Sequence, residues 1–184
     1  MSGIVGSRFN TRGSGLVGSL GSDGQIFTSS GAGKSAVFEA APGGGKIAQV
    51  ISATDGVLRT TTSSTLNDMS TALIAAITPS ASDSKILVTC SVNMQSSTHS
   101  WYLSLYRDIG GAGYNNLTDV GSYDAFAETP GAAKGLHVTM HFLDSPCTTS
   151  ECSYRPYGGI TGGTTLNLNA STTLGTITAM EVLA

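Results

Sequence analysis

Residues 84–95, which read SKILVTCSVNMQ, constrain the fold of this chain more than any other stretch. Ile86, Val88, Cys90, Val92 and Met94 fall on one parity, and Leu87, Thr89, Ser91 and Asn93 on the other. Successive side chains of an extended strand point to opposite faces, so one face of this stretch is wholly apolar and the other mostly small and polar. A helix would mix the two sets around its circumference. The segment therefore reads as the central strand of a sandwich or barrel, with its apolar face in the core.

Other runs repeat the pattern at short, even spacing. Residues 46–52 and the threonine-rich 57–64 read as strands, since β-branched threonine suits a pleated surface. Residues 71–78 are too short for a stable helix before Pro79 and read as a strand too. Residues 100–107 alternate again, with Trp101, Leu103 and Leu105 against Tyr102, Ser104 and Tyr106. They are expected to pair with 84–95 through a turn at 96–99, which places the single tryptophan in the core or at a subunit contact. Weak strands are expected near 114–118 and 123–128.

Residues 135–143 put Leu136, Val138, Met140 and Phe142 inward and His137, Thr139 and His141 outward. A further strand begins at 154–157. Leu166 and Leu168 share one face of 164–170, and 175–183 forms the last strand. Eight to ten short strands with no helix beyond about two turns predict an all-β fold. The architecture expected is an antiparallel β-sandwich, jelly-roll-like.

Residues 1–45 are different material. They hold half of the chain's 24 glycines. Short apolar pairs recur in them, fenced by Gly or Ser: Ile4 and Val5, Leu16 and Val17, Ile26 and Phe27, Val37 and Phe38, with Phe9 beside the first. Such a segment cannot bury a core of its own and reads as an extended arm, with the apolar pairs as docking points. Gly43-Gly44-Gly45 is the hinge to the body, residues 46–184.

Two motifs in the arm mimic nucleotide sites. Gly13, Gly15 and Gly18 match a dinucleotide pattern, which has meaning only between a strand and a helix; no buried strand precedes it and helix breakers follow. Gly31 to Ser35 resembles a phosphate loop, but Thr28 stands where its first glycine belongs. No cofactor is expected.

The composition excludes some partners. Nine basic residues against 12 acidic ones give a net charge of −3, with no basic stripe for nucleic acid. No run approaches the ~20 apolar residues of a membrane helix. No secretory leader is expected either, since the first residues lack a long apolar run.

Chemistry-bearing residues are few. Cys90 lies on the apolar parity and is expected to be a buried thiol. The spacing of Cys147 and Cys152 permits a hairpin disulfide, while a reducing cytosol leaves both as thiols. His137 and His141 sit about 13 Å apart if 135–143 is a strand, at ~3.3 Å per residue, too far to share a zinc within one chain. They are expected to face solvent, unless a three-fold assembly brings copies of one together around an ion. Asp119, Asp124, Glu128, Asp144 and Glu151 read as solvated loop acids, because no spacing selects a catalytic pair among them. The aromatics of the second half offer flat faces that stack on sugars or fill protein interfaces.

The arm, residues 2–40, resembles a segment of tail-fibre-like and other virion structural proteins of marine bacteriophages. The similarity is strongest at GQIFTSSGAG (24–33) and AAPGGGKI (40–47). The body is similar to the same group at ITPSASDSKILV (77–88), FLDSP (142–146) and ITAMEV (177–182). The resemblance implies a non-enzymatic, homotrimeric, β-rich virion component whose arm joins other virion proteins. It further implies that body loops 108–134 and 144–163 touch a host-surface glycan or protein, with Tyr114, Asn115, Tyr123, Phe126, Tyr154 and Tyr157 as contact residues. These 184 residues carry no long shaft repeat, which keeps a capsid decoration or cement protein, a head fibre or knob, open beside a tail fibre. A small glycan-active enzyme is the third reading, and it requires a carboxylate pair in one cleft.

Overall fold

A computed structural model describes residues 25–28, 37–40, 46–96, 101–117, 123–124, 134–160, 165–170 and 173–184. The chain divides into two compact units, Met1–Gly45 and Lys46–Ala184. In the first, β1 (Gln25–Thr28) and β2 (Val37–Ala40) pair antiparallel, with Phe27 in register with Phe38. Two of the apolar pairs expected in the arm, Ile26 with Phe27 and Val37 with Phe38, stand in this short ladder, which β-branched and aromatic residues favour. Ile4, Val5, Phe9, Leu16 and Val17 lie outside the described residues, as do both nucleotide-like motifs.

The second unit is an all-β sandwich of two antiparallel sheets, and no α-helix occurs among the described residues. The first sheet is built on β7 (Lys85–Ser96), the alternating stretch. Ile86, Val88, Cys90, Val92 and Met94 are all fully buried, and every residue of the opposite parity from Leu87 to Gln95 is half-buried. β11 (Lys134–Asp144) runs along one side of β7 for its whole length. The other side is shared end to end by β14 (Gly175–Val182) and β13 (Leu166–Leu168). Beyond these lie β3 (Ile47–Asp55), paired with β14, and β4 (Arg59–Thr61), paired with β13.

The second sheet is built on β8 (Trp101–Ile109) and β12 (Cys152–Ile160), paired over nine residues. Each carries two short strands on its other side: β9 (Asn115–Asn116) and β10 (Tyr123–Asp124) on β8, β5 (Asn67–Asp68) and β6 (Ala75–Ile77) on β12. Pro156 falls between the registers of β6 and β5, at a break in the ladder where a missing N–H costs nothing.

The expected hairpin between 84–95 and 100–107 does not form. β7 and β8 belong to opposite sheets. The apolar face of β7 needs a cover. Trp101, Leu103 and Leu105 of β8, together with Tyr154 and Ile160 of β12, supply it from across the core. Each fully buried side chain of this kind contributes roughly 1.5–3 kcal/mol. As neighbours in one sheet, β7 and β8 would have left both apolar faces open.

The outward-facing strands behave as their patterns predict, with two adjustments. On β11 the inward set is only half covered, with Val138, Met140 and Phe142 packed on the core and Leu136 exposed. Residues 71–78 form a ladder only at β6, although Leu73 is buried before it. Cys147 and Cys152 do not pair. Cys147 is exposed, in a left-handed conformation (φ 53°), while Cys152 is buried at the start of β12. Cys90 is buried as expected, and its burial pushes the thiol up to about 12.

One end of the second sheet is closed by the segment before β5. The Ile160 amide donates to the Ser63 carbonyl at 2.8 Å. A Cβ on Gly159 would stand 2.9 Å from the Thr65 carbonyl oxygen, which is backbone and cannot swing aside. Gly159→Ala is therefore expected to destabilise the protein by about 1–3 kcal/mol through overpacking. Gly56→Ala, whose Cβ would meet only the flexible end of Leu174 at 3.6 Å, is expected to stay within about 0.5 kcal/mol of wild type. Urea denaturation of the two variants measures both.

Candidate functional site: a tyrosine and arginine face

The outward parity of β8 and β12 carries Tyr102 and Tyr106 on one strand and Arg155 and Tyr157 on the other. Tyr106 stands opposite Arg155, and Tyr157 opposite Ser104. Tyr106 and Tyr157 are therefore diagonal neighbours, and their rings stack at 3.9 Å between centroids and 14° between planes. Tyr114, just before β9, tilts toward Tyr157 at 6.0 Å. The Arg155 guanidinium lies 3.9 Å over the Tyr114 ring. Its Nη1 also donates to Asp68 of β5.

Three phenol rings, one guanidinium and one carboxylate thus share the outside of the second sheet, all half-buried. Burial raises the Tyr157 phenol above its ordinary value, with Arg155 pulling against that. The Arg155 Nε is shielded from solvent and has no hydrogen-bond partner among the described residues. One face of Tyr106 and of Tyr157 is covered by the other ring and one face of Tyr114 by the guanidinium, which leaves half-buried ring surface and hydroxyls beside a cation and a carboxylate.

Of the expected contact residues, the structure brings Tyr114 and Tyr157 together, with Asn115 exposed beside them on β9. Tyr154 is a correction. It is fully buried, because strand parity turns it opposite to Tyr157, three residues on. The Tyr123 side chain and Phe126 lie outside the described residues. Tyr106 was legible as an exposed aromatic. Arg155 and Asp68 carry no periodic signal of their own, although Arg155 shares the parity of Tyr157.

Asp144 is also corrected, from solvated loop acid to buried group. The Tyr154 hydroxyl donates to its Oδ2 at 2.7 Å, and Arg107 Nη1 reaches both its oxygens at 2.7 Å. Arg107 and Tyr154 stand opposite each other in the second sheet, while Asp144 ends β11 of the first, so the cluster ties the two sheets together. Burial, with the Asp144 hydrogen bond, raises the Tyr154 phenol far above its ordinary range. Burial works against the Arg107 charge, but Asp144 outweighs it and holds the guanidinium more firmly protonated.

Two further acids are buried. Asp55 accepts from the Ser70 hydroxyl, the Val57 amide and Arg59 Nε. Burial raises its pKa, and these bonds reverse that to a net lowering. Glu181 is fully buried on β14 and accepts from the Ser80 amide and hydroxyl at 2.6 Å each and from Gln49 Nε2 at 2.7 Å. No group of three or more metal-ligating side chains occurs among the described residues. His137 and His141 are exposed on β11, and His137 Nε2 shares a 2.8 Å hydrogen bond with the Ser91 hydroxyl.

No family model matches the chain, and no curated protein matches it in sequence. Among solved structures it is similar to the Eiger TNF from S. frugiperda, at 13% identity and a TM-score of 0.42, over 73% of this chain and 93% of that one. It is also similar to the VP2 subviral particle of infectious bursal disease virus, at 12% identity and a TM-score of 0.38, over 87% of this chain and 43% of that one. The chain therefore spans less than half the length of VP2. These likenesses concern strand architecture alone.

Glu181 sets a pH dependence. Burial alone would raise its pKa, but the hydrogen bonds from Ser80 and Gln49 bring it from the usual 4.5 to about 2. A carboxylate depressed in the folded state contributes stability that is complete above the unfolded pKa and is lost as pH falls toward the folded one. Glu181→Gln is expected to cost about 1–3 kcal/mol at neutral pH. That gap should close as the pH drops from 4.5 toward about 2, as read by urea midpoints across the range.

Proposed function

We propose that this protein is a structural component of a bacteriophage virion, a homotrimeric tail fibre or tail-fibre-like protein. Residues 1–45 hold it to other virion proteins, and the sandwich body faces outward. The observation that carries this reading is the division into a glycine-rich arm and an all-β body, in segments that resemble phage virion proteins in both parts. The buried chemistry fits a non-enzymatic role. Asp144, Glu181 and Asp55 are each committed to neighbours that hold loops and sheets in place, and Asp68 is bound to Arg155.

The face formed by Tyr106, Tyr114, Arg155 and Tyr157 is the proposed host contact, with a surface glycan as its ligand. Each contact is weak, and identical copies on one particle add through multivalency. A capsid decoration protein is the second reading.

Quantitative mass spectrometry of purified virions, scaled to the major capsid protein, tests the placement. Tens of copies in a multiple of three are expected. Hundreds would move the protein to the capsid surface, and absence from the particle would overturn the reading. Deleting residues 1–40 should leave a folded oligomer that no longer enters virions; normal incorporation would overturn the role of the arm. Tyr114→Ala with Tyr157→Ala should leave particle assembly intact and reduce phage adsorption to host cells at least tenfold, about 1.4 kcal/mol in effective affinity. Unchanged adsorption would remove this face from host contact.

A further inference from the structure

The outer face of the first sheet shows a pattern visible only in the register. Across β3, β14, β7 and β11, Val50 stands beside Met180, Met180 beside Leu87, and Leu87 beside Leu143. All four side chains lie on the side away from the core. They form one apolar row across the full width of the sheet. Val50 and Leu143, at its two ends, are 53% and 50% exposed. The adjacent row extends it with Ile47, 48% exposed, beside Val182. On the other side the face turns to polar groups, in the row Ser52, Thr178, Thr89 and His141. No carboxylate stands in these rows.

We infer that this face is the surface through which one copy of the chain packs on another; the inference rests on the self-association proposed for the virion protein. Three observations favour a second copy as the occupant. The first is size. Four strands about 4.8 Å apart and ten residues long at ~3.3 Å span roughly 19 by 33 Å, on the order of 600 Å². A standard interface buries ~800 Å² per partner, so the flat face supplies most of one side.

The second observation is charge. In a chain of only 21 charged residues, Lys85 is the single Lys or Arg in these rows, and no carboxylate opposes it. Two such faces meet without desolvating an ion pair and with little like-charge repulsion. By contrast, the outer face of the second sheet holds Asp68, Asp108 and Arg155. The third is where the arm begins. Lys46 is clasped at the apolar end of the face, its carbonyl accepting from the Leu183 amide at 2.8 Å. Copies packed through this face with their strands running the same way carry their Lys46 ends together at one end of the assembly, the arrangement that shared anchoring requires.

The test is the solution mass of the full chain by light scattering after size-exclusion chromatography, with folding checked by circular dichroism. The wild type is expected at a multiple of the monomer mass. Val50→Glu with Leu143→Glu places two charges at the exposed ends of the row, where the fold tolerates them, and should reduce the mass to that of a monomer. Leu143→Arg alone serves if the double variant fails to fold, and it should shift the association constant at least tenfold. Tyr102→Glu, on the opposite sheet, should leave the oligomer intact. A monomeric wild type overturns self-association and this face together, and so covers the case of a different protein as the occupant. An oligomer indifferent to the Val50 and Leu143 changes overturns the face and leaves self-association standing.

Discussion

Burying one face of β7 is the constraint on which the sandwich depends. Five consecutive inward side chains, Ile86 to Met94, must leave water together, and nothing on β7 itself can cover them. A single sheet has no second layer. β8 therefore lies in the other sheet and sets Trp101, Leu103 and Leu105 on the opposite side of the core. The other long strands take their places around that decision. β11 and β14 flank β7 and widen its sheet, and β12 flanks β8 and widens the cover. Two-layer packing of this kind is the ordinary solution for strands with one apolar face.

The buried polar groups sit at the margins of that core and join pieces that the apolar contacts leave free to slide. Asp144, Arg107 and Tyr154 link the end of β11 to the middle of the opposite sheet. Glu181 holds the turn at Ser80 against β14, and Asp55 holds Ser70 and Arg59 beside the end of β3. Each carboxylate is buried with several donors, so removing one partner leaves a charge that water cannot reach. Such clusters specify one arrangement of sheets and loops. The outer faces have no such obligation, and they divide into a tyrosine and arginine surface on one side and an apolar and hydroxyl surface on the other.

The alternation at 84–95, 135–143, 166–168 and 175–182 was legible because period 2 states which way each side chain points. It does not state which strand lies next door. The misplaced hairpin between β7 and β8 follows from that gap: closeness in sequence suggested pairing, and the need to cover an apolar face overruled it. The short ladders β5, β6, β9 and β10 carry too few residues for a periodic signal. Residue type alone groups Tyr154 with Tyr157, but a spacing of three puts them on opposite sides of a strand. Asp144 read as a loop acid since its partners lie 10 and 37 residues away, a distance no local pattern spans. The candidate surface was half legible: its rings were, but not the Arg155 and Asp68 that bind them into one patch.

The three cysteines have a consequence for the protein in an oxidising medium. Cys90 and Cys152 are sealed inside the sandwich, and burial keeps both as unreactive thiols. Cys147 stands alone in the open, on the connection between β11 and β12. Oxidation in the medium therefore falls on one sulfur per chain. A chain with one reactive sulfur can be linked to one other and no more, so ageing yields covalent pairs and never a cross-linked network. The same sulfur offers a single point for attaching a dye or a heavy atom without touching either outer face.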